Sequence, residues 1–514
     1  MKAVRNMDKL FKASGVALPV FSLPGKYGIG SIGSGAKQFI DFLHDAGFTY
    51  WSILPLGPTS FGDSPYSSFS SLAVNHFLID FDDLLDKDLL KKRDIGVVDW
   101  GSNSRSIDYG KIYANRVRVL KIAYNRFKRG QGDYQRGYTS FLRKNSFTDY
   151  SCFMALKDLN DYRPWTQFKG ITKEYSTDSF RDVKKDHKAD IDFYQWTQFI
   201  FLKQWESLKE YARQKDVKII GEMPMFVSFD SIDVYKHHRN FLLNQSGDMD
   251  FVAGYPPDVF YSQGQVWGNP LYNFDYLKKN NYRFLKSRLD FNLSLYDIVT
   301  LDHFRGYLEY YMLPKAAQNG LNGTWGRTPG ADMLNTIITD KSKIVAEDVD
   351  FHSDALTSTL DSLKISDMRV LEFAFPREKG NLNKPANYPY SCYSYSSTHD
   401  CKPLKGYLDD LSSNDRKEAV EQINLTCRHF GVKEAMDNSK DLTRAVLELN
   451  LASLSEVSIQ SMQDILLQGN ESRINTPGTV GMPNWTYRIT SDDLSPELAS
   501  SLLALNKRYG RYQS

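Results

Sequence analysis

The chain has 514 residues, of which 41% are hydrophobic, and its 64 Lys and Arg are almost balanced by 62 Asp and Glu. This composition supplies a large core, and it excludes the strong basic field on which non-specific nucleic-acid binding depends. No apolar run approaches the roughly 18 residues of a membrane-spanning helix, so we expect neither nucleic acid nor a membrane as a partner.

The cysteines and the first residues indicate a compartment. Cys152, Cys392, Cys401 and Cys427 lack the CxxC spacing of a zinc site, and they do not suggest a disulfide framework. The opening MKAVRNMDKLFKASG has scattered charges and no apolar segment of the kind found in signal peptides. We therefore expect a reducing, cytoplasmic location.

Short β-rich segments recur along the chain, and each is followed by a polar loop and a helical pattern. The predicted strands are residues 16–21, 50–56, 217–221, 298–301, 342–346, 368–375 and 393–397. Between them, apolar residues spaced three to four apart predict helices, the clearest at 109–127 and 193–208. This alternation predicts parallel βαβ units, either in a barrel or in a wide doubly wound sheet.

Two regions interrupt the alternation. Residues 80–195 are charged and mainly helical in pattern, which predicts a subdomain inserted after an early strand. Residues 235–290 are rich in Gly, Pro, Asn and Tyr, which predicts a long ordered loop insertion over the cleft, and such loops commonly carry function. No interdomain linker is visible, so we treat residues 1–514 as a single domain.

Acidic side chains follow three of the predicted strands. Asp302 follows residues 298–301, Glu347 follows 342–346, and Asp400 follows 393–397 after a short loop. Since the carboxyl ends of barrel strands meet on one face, these acids are expected to share a pocket. Two clustered carboxyl groups can cleave a glycosidic bond, one as the acid and one as the nucleophile.

Two other interpretations of these acids stay open from the residues alone. A single Asp after a strand is often a helix N-cap. Clustered carboxylates can also bind a divalent metal ion.

Motifs spread over nearly the whole chain carry a resemblance to a known family. In order they are SLPGKYGIGSIG at 22–33, WSILPLGPTSFGDSPYSSFS at 51–70, GQVWGNPLY at 264–272, LDHFRGY at 301–307, VAED at 345–348, STHD at 397–400, MQDIL at 462–466 and NTPGTVGMPNWTYR at 475–488. Each is weak alone, but together they resemble the amylomaltases, the 4-α-glucanotransferases or disproportionating enzymes of glycoside hydrolase family 77.

This resemblance implies an α/β fold, a (β/α)8 TIM barrel with inserted helical and loop subdomains and no C-terminal β-domain. It implies a retaining double displacement that passes an α-1,4-glucan segment from a maltooligosaccharide donor to glucose or another maltooligosaccharide. It implies no metal and no organic cofactor.

The resemblance also implies roles for individual residues. Asp302 would be the nucleophile, Glu347 the general acid/base and Asp400 a third acid that holds sugar hydroxyls. For a retaining enzyme the carboxyl groups of Asp302 and Glu347 should lie about 5–5.5 Å apart, against roughly 6.5–9.5 Å for an inverting one.

Five further residues would bind the glucan. His303 and His399 would donate hydrogen bonds to the sugar at the cleavage point, and Tyr66 would stack on that sugar. Gln265 and Trp267 lie in the family's loop over the cleft, where the glucan enters.

Several positions depart from the family pattern. Thr300 stands where the family has an arginine, two residues before the nucleophile and on the same side of the strand. That arginine would bind the carboxylate and keep its pKa low. Either another cation has replaced it, with Arg305 the nearest candidate in the sequence, or no cation compensates and Asp302 is less firmly oriented. The other departures are Glu222 for aspartate, Cys401 for asparagine, Asp350 for glycine and Tyr235 for tryptophan.

Three functional hypotheses follow. The intact acids favour an active but divergent glucanotransferase, with an altered rate, acceptor choice or ratio of transfer to hydrolysis. The alternatives are a mainly hydrolytic α-glucanase, or a glucan-binding or regulatory protein with little turnover.

Overall fold

The computed structural model describes residues 11–130, 134–144, 147–169, 175–257, 262–347, 354–376 and 380–512. Within them lie the strands β1 Ala13–Ala17, β2 Tyr50–Ser52, β3 Lys218–Met223, β4 Phe251–Tyr255, β5 Gln265–Pro270, β6 Ile298–Leu301, β7 Glu309–Pro314, β8 Thr324–Arg327, β9 Ile344–Ala346, β10 Ser366–Val370, β11 Cys392–Tyr395 and β12 Val457–Ser461.

The α-helices in the same residues surround these strands. They are α1 Ser34–Asp45, α2 Phe81–Asp86, α3 Lys92–Ile95, α4 Tyr109–Lys128, α5 Gln135–Lys144, α6 Thr148–Leu159, α7 Thr177–Asp186, α8 Lys188–Gln214, α9 Ile232–Lys236, α10 Phe274–Lys279, α11 Arg283–Leu295, α12 Ala331–Ile337, α13 Asp354–Leu363, α14 Leu404–Asp410, α15 Ser413–Phe430, α16 Ser439–Ala452, α17 Met462–Ile465 and α18 Pro496–Arg508. None of the helices described is long and apolar enough to cross a membrane.

Eight strands close into a parallel barrel in the order β1-β12-β11-β10-β9-β6-β3-β2. This confirms the predicted barrel, and the alternative of a doubly wound sheet was wrong. Side chains alternate between the two sides of each strand, with Ile298 in the cluster inside the barrel and Val299 and Leu301 in the cluster under the helices. The interior is therefore a packed core, and the carboxyl ends of the strands present their last inward side chains at one mouth.

The strand predictions were partly wrong in their bounds. The first strand ends at Ala17 rather than continuing to residue 21, because Pro19 has no N–H for the sheet ladder. The eighth strand, β12, has the sequence VSIQS and was missed, since its Ser458 and Gln460 are polar although fully buried.

A four-stranded antiparallel sheet, in the order β5-β4-β7-β8, lies outside the barrel. Its first two strands fall within residues 235–290, where the sequence indicated a loop. These strands contain glycine, which is uncommon in strands, so the sequence did not indicate them. Gly254 is required because a Cβ there would lie 2.5 Å from the carbonyl oxygen of Gln265. Within residues 80–195 the described chain is largely helical, from α2 into α8, while the proposed domain boundaries stay predictions.

Candidate active site

Three acidic side chains point inward at the mouth of the barrel because of strand periodicity. Ile220, Ile298 and Val345 belong to the interior cluster of the barrel. Glu222 lies two positions beyond Ile220 on β3, Glu347 lies two beyond Val345 and directly after β9, and Asp302 lies four beyond Ile298. The same rule that places the apolar side chains inside therefore brings these acids to one mouth.

The three carboxyl groups lie close together. One oxygen from each of Glu222, Asp302 and Glu347 lies within 4.8 Å of the other two. Backbone hydrogen bonds fix this arrangement, since the N–H of Glu347 donates to the carbonyl of Leu301 at 3.0 Å and that of Asp302 donates to Met223 at 3.2 Å. The ends of β3, β6 and β9 thus hold the acids as one rigid group.

Asp302 lies in an environment that disfavours its charge. Loss of water around the carboxyl group, and then the negative charge of Asp400, raise its pKa to about 7. The backbone N–H groups of Met225 and His303 donate to the carboxylate and lower the pKa, as does the charge of Arg288. The ionised form is therefore supported by backbone donors and by one cation from α11.

Arg305, the candidate replacement for the missing cation, contacts other groups. Arg305 donates to Glu309 at 2.8 and 2.6 Å, and its guanidinium carbon lies 4.0 Å from the centre of the Trp325 ring. The cation whose charge acts on the Asp302 carboxyl is instead Arg288. Nothing in the sequence motifs pointed to Arg288, because it lies in a helix on the outside of the barrel.

Arg288 is fully buried and is tied to the segment that follows β3. Its guanidinium donates to the carbonyl oxygens of Pro224 at 2.5 Å and Met225 at 2.9 Å, and to the hydroxyl of Tyr272 at 2.6 Å. Because Met225 in turn donates its N–H to Asp302, Arg288 orients one of the donors of that carboxylate.

Asp400 lies beside His399 in the loop after β11. Its carboxylate accepts a hydrogen bond from Asn475 at 2.7 Å and lies 3.3 Å from Nε2 of His399. The ring of Tyr66 stacks on His399 with 5.1 Å between centroids, and the Trp485 ring lies 5.9 Å from both. Burial lowers the pKa of His399, so the imidazole is largely neutral at neutral pH.

His303 faces a second aromatic group. It has φ 46°, in the left-handed region that non-glycine residues rarely adopt. Its ring lies 4.8 Å from that of Trp267 and 5.7 Å from that of Tyr255, both edge-on. Trp267 donates its indole N–H to the side chain of Gln265 at 3.1 Å. The structure therefore places Trp267 against His303, with Gln265 bonded to Trp267.

Thr300 lies on the floor of the mouth. It is the sheet partner of Glu222, and its hydroxyl bonds with the hydroxyl of Tyr395, which is 3.2 Å from Ser52. A cavity at this level is lined by Ser52, Glu222, Thr300, Glu347, Tyr395 and His399, among others. Polar groups from five strands or their carboxyl ends thus converge on one space.

The acid cluster was also interpreted as a metal site. The spacing of Glu222, Asp302 and Glu347 would admit a divalent cation. Burial raises the pKa of both Glu222 and Asp302, so an ion that binds there would have to displace protons. Asp348 of the VAED motif and Asp350, one of the departures from the family pattern, lie outside the described residues.

Glu222 belongs to this site, although the sequence reasoning noted it only as a departure. It follows the inward alternation of β3 as Asp302 follows that of β6, so strand periodicity was a signal that could have found it. Asn475 and Trp485 were also missed individually, but both lie in the NTPGTVGMPNWTYR motif.

Comparison with known proteins places the chain in a family. The model of the Glyco_hydro_77 family, described as 4-alpha-glucanotransferase, matches residues 18–494. A 4-alpha-glucanotransferase of Clostridium butyricum is 36% identical over 96% of this chain and 99% of its own length. That of Aquifex aeolicus is 35% identical over 97% and 99%, respectively.

Solved structures agree with this assignment. An amylomaltase from Streptococcus agalactiae, in complex with acarbose, superimposes with a TM-score of 0.91 and 32% identity over 98% of this chain and 100% of that one. The full-length match to the family model, the curated relatives and this fold together make the chain a 4-α-glucanotransferase of glycoside hydrolase family 77, the amylomaltases.

Proposed function

We propose that this site transfers α-1,4-glucan segments between maltooligosaccharides by a retaining double displacement, with Asp302 as nucleophile and Glu347 as general acid/base. The observation that carries this proposal is the distance of at most 4.8 Å between oxygens of the two carboxyl groups. It is compatible with the about 5–5.5 Å between the carboxyl groups of retaining enzymes and is shorter than the roughly 6.5–9.5 Å of inverting ones.

In the first step, Glu347 donates its proton to the glycosidic oxygen while Asp302 attacks the anomeric carbon. The bond to the leaving glucan breaks, and a glucosyl ester forms on Asp302. In the second step, the Glu347 carboxylate takes the proton of an acceptor 4-hydroxyl, whose oxygen displaces Asp302. A new α-1,4 bond forms and both acids return to their starting states.

The remaining predicted residues position the sugar. Asp400 is anchored by Asn475, so it offers a fixed acceptor to sugar hydroxyls. The stacked rings of Tyr66 and His399 give a flat platform with polar edges, which suits a glucose ring. Trp267, partly exposed on β5, offers a second apolar surface to the entering chain.

Incubation with pure maltotriose tests this function. Transfer yields glucose together with maltotetraose and longer products, and it conserves the number of reducing ends. Hydrolysis yields only shorter sugars and adds one reducing end for each bond cleaved, whereas a binding protein leaves maltotriose unchanged. Asp302→Asn is the control, because it should abolish product formation while leaving glucan binding largely intact.

We also retain the proposal of a reducing, cytoplasmic location. All four cysteines, Cys152, Cys392, Cys401 and Cys427, are free and buried. Free thiols suit a compartment in which glutathione and thioredoxin keep cysteines reduced. The lengths of the maltotriose products will indicate which donor and acceptor lengths the enzyme prefers.

A further inference from the structure

Glu222 is a third carboxyl group in the active site, and the double displacement gives it no role. Its side chain is 7% exposed, and its Oε1 has no hydrogen-bond partner. Its partner in the neighbouring strand is Thr300, which carries no charge. A buried carboxylate in such surroundings would lack both water and a counterion.

The groups that face Glu222 come from several elements. They are Tyr66 from the loop after β2, Tyr296 before β6, Asp302 after β6, Glu347 after β9, Tyr395 on β11 and Asp400 after β11. The charges that act on Glu222 are those of Asp302 and Asp400, which have the same sign as its own carboxylate. The contact that favours the ionised form of Glu222 is a hydrogen bond with the hydroxyl of Tyr66.

Three ionised carboxylates within this distance would repel one another strongly, because little water separates them. The repulsion is relieved when one of the three holds a proton through the reaction. Glu347 gives up and regains its proton in each cycle, and Asp302 must be ionised to attack. Glu222 is the member of the group that is free to stay neutral.

We propose that Glu222 is a positioning residue that remains a protonated, neutral carboxylic acid in the working enzyme, so that the nucleophile beside it can carry the negative charge. The inference rests on the roles proposed for Asp302 and Glu347. Burial, followed by the charge of Asp302, raises the pKa of Glu222 well above its usual range, which agrees with this state. Thr300 fits the arrangement, since a neutral acid needs no cation beside it.

The protonation state can be measured directly by carbon NMR. Protein labelled with carbon-13 in the glutamate side-chain carboxyls is titrated between pH 5 and 8, and the Glu222 signal is the one absent from Glu222→Gln. Glu222→Asp provides the assignment if the glutamine variant does not fold. The signal should keep the chemical shift of a carboxylic acid across this range, and the shift of a carboxylate at pH 6 would overturn the proposal.

The pH profile of kcat/KM tests the effect on the nucleophile. If Glu222 is neutral, Glu222→Gln removes no charge, so the acidic limb set by Asp302 should stay within about 0.3 pH unit of the wild type. If Glu222 is ionised, the same change removes a negative charge and moves the limb to lower pH by a unit or more. A limb that moves in this way contradicts the proposal.

Glu372→Gln is the matched control. Glu372 is also buried, and burial followed by the charge of Asp464 raises its pKa to about 8. The charged groups that act on it are Asp464 and Arg473 rather than Asp302 and Asp400. Its replacement should leave the limb unchanged. The NMR titration does not depend on turnover, so it still reports on Glu222 if Asp302→Asn shows that the proposed nucleophile is wrong.

Discussion

Thr300 combines an inward position with a neutral hydroxyl two residues before the proposed nucleophile. Arg305 binds Glu309, while the charge of Arg288 acts on the Asp302 carboxyl. Because the pKa of Asp302 is still raised to about 7 by desolvation and by Asp400, this compensation is incomplete.

We therefore expect Thr300→Arg to increase turnover of maltotriose. A guanidinium beside Asp302 would favour its ionised form and orient it, and removal of a comparable donor in other enzymes costs about 2–4 kcal/mol of barrier. The cavity next to Thr300 offers space for part of the longer side chain. Initial rates at pH 6–7 measure the effect, with Thr300→Val as the uncharged control. A Thr300→Arg enzyme that folds normally but is slower than the wild type would argue against incomplete compensation.

The pKa of Asp302 sets a pH dependence. The proposed nucleophile must be deprotonated to attack, and its pKa is raised to about 7, so kcat/KM should fall as the pH drops below about 7. The decrease should approach tenfold per pH unit once the protonated form dominates. Rates on maltotriose from pH 5 to 8 give the profile. A flat profile down to pH 5 would mean that the carboxyl group is ionised well below this value.

At the level of elements, α11 supports the site through Arg288. Its guanidinium holds the carbonyls of Pro224 and Met225, and Met225 donates to the Asp302 carboxylate. Lysine keeps the charge but cannot reproduce the planar fork of donors.

Arg288→Lys should therefore lower both stability and activity. Each buried acceptor left without a donor costs about 1–3 kcal/mol, which urea unfolding can measure. Looser donors to Asp302 should also move the acidic limb of kcat/KM to higher pH. An unchanged limb in a destabilised variant would show that Arg288 supports only the fold.

The elements also show what the sequence could and could not predict. The sequence could predict acids at the ends of β6 and β9, because these strands are short apolar runs followed by Asp302 and Glu347. The polar strand β12 was not visible, since its buried Ser458 and Gln460 break the expected pattern. The contact of Arg288 with the segment after β3 depends on helix packing, which no local pattern encodes.

At the scale of the whole molecule, barrel closure is what assembles the site. The acids come from strands far apart in sequence, and the closed order β11-β10-β9-β6-β3 brings their carboxyl ends to one mouth. The aromatic groups come from outside the barrel, with Tyr66 in the loop after β2 and Trp267 on β5 of the small sheet. Tyr66 packs on His399 and Trp267 packs on His303, and these histidines are the chain neighbours of Asp400 and Asp302.

The central claim is that Asp302 forms a covalent ester with the glucan, and trapping that ester tests it most directly. Glu347→Gln should be inactive on natural glucans, which need a proton on the leaving oxygen, and it should still react with α-glucosyl fluoride, whose leaving group does not. Without a base for the second step the ester should accumulate. Mass spectrometry of the digested protein should find one glucosyl unit on the peptide that contains Asp302. A glucosyl unit on another residue, or products of inverted anomeric configuration with no ester, would contradict the account.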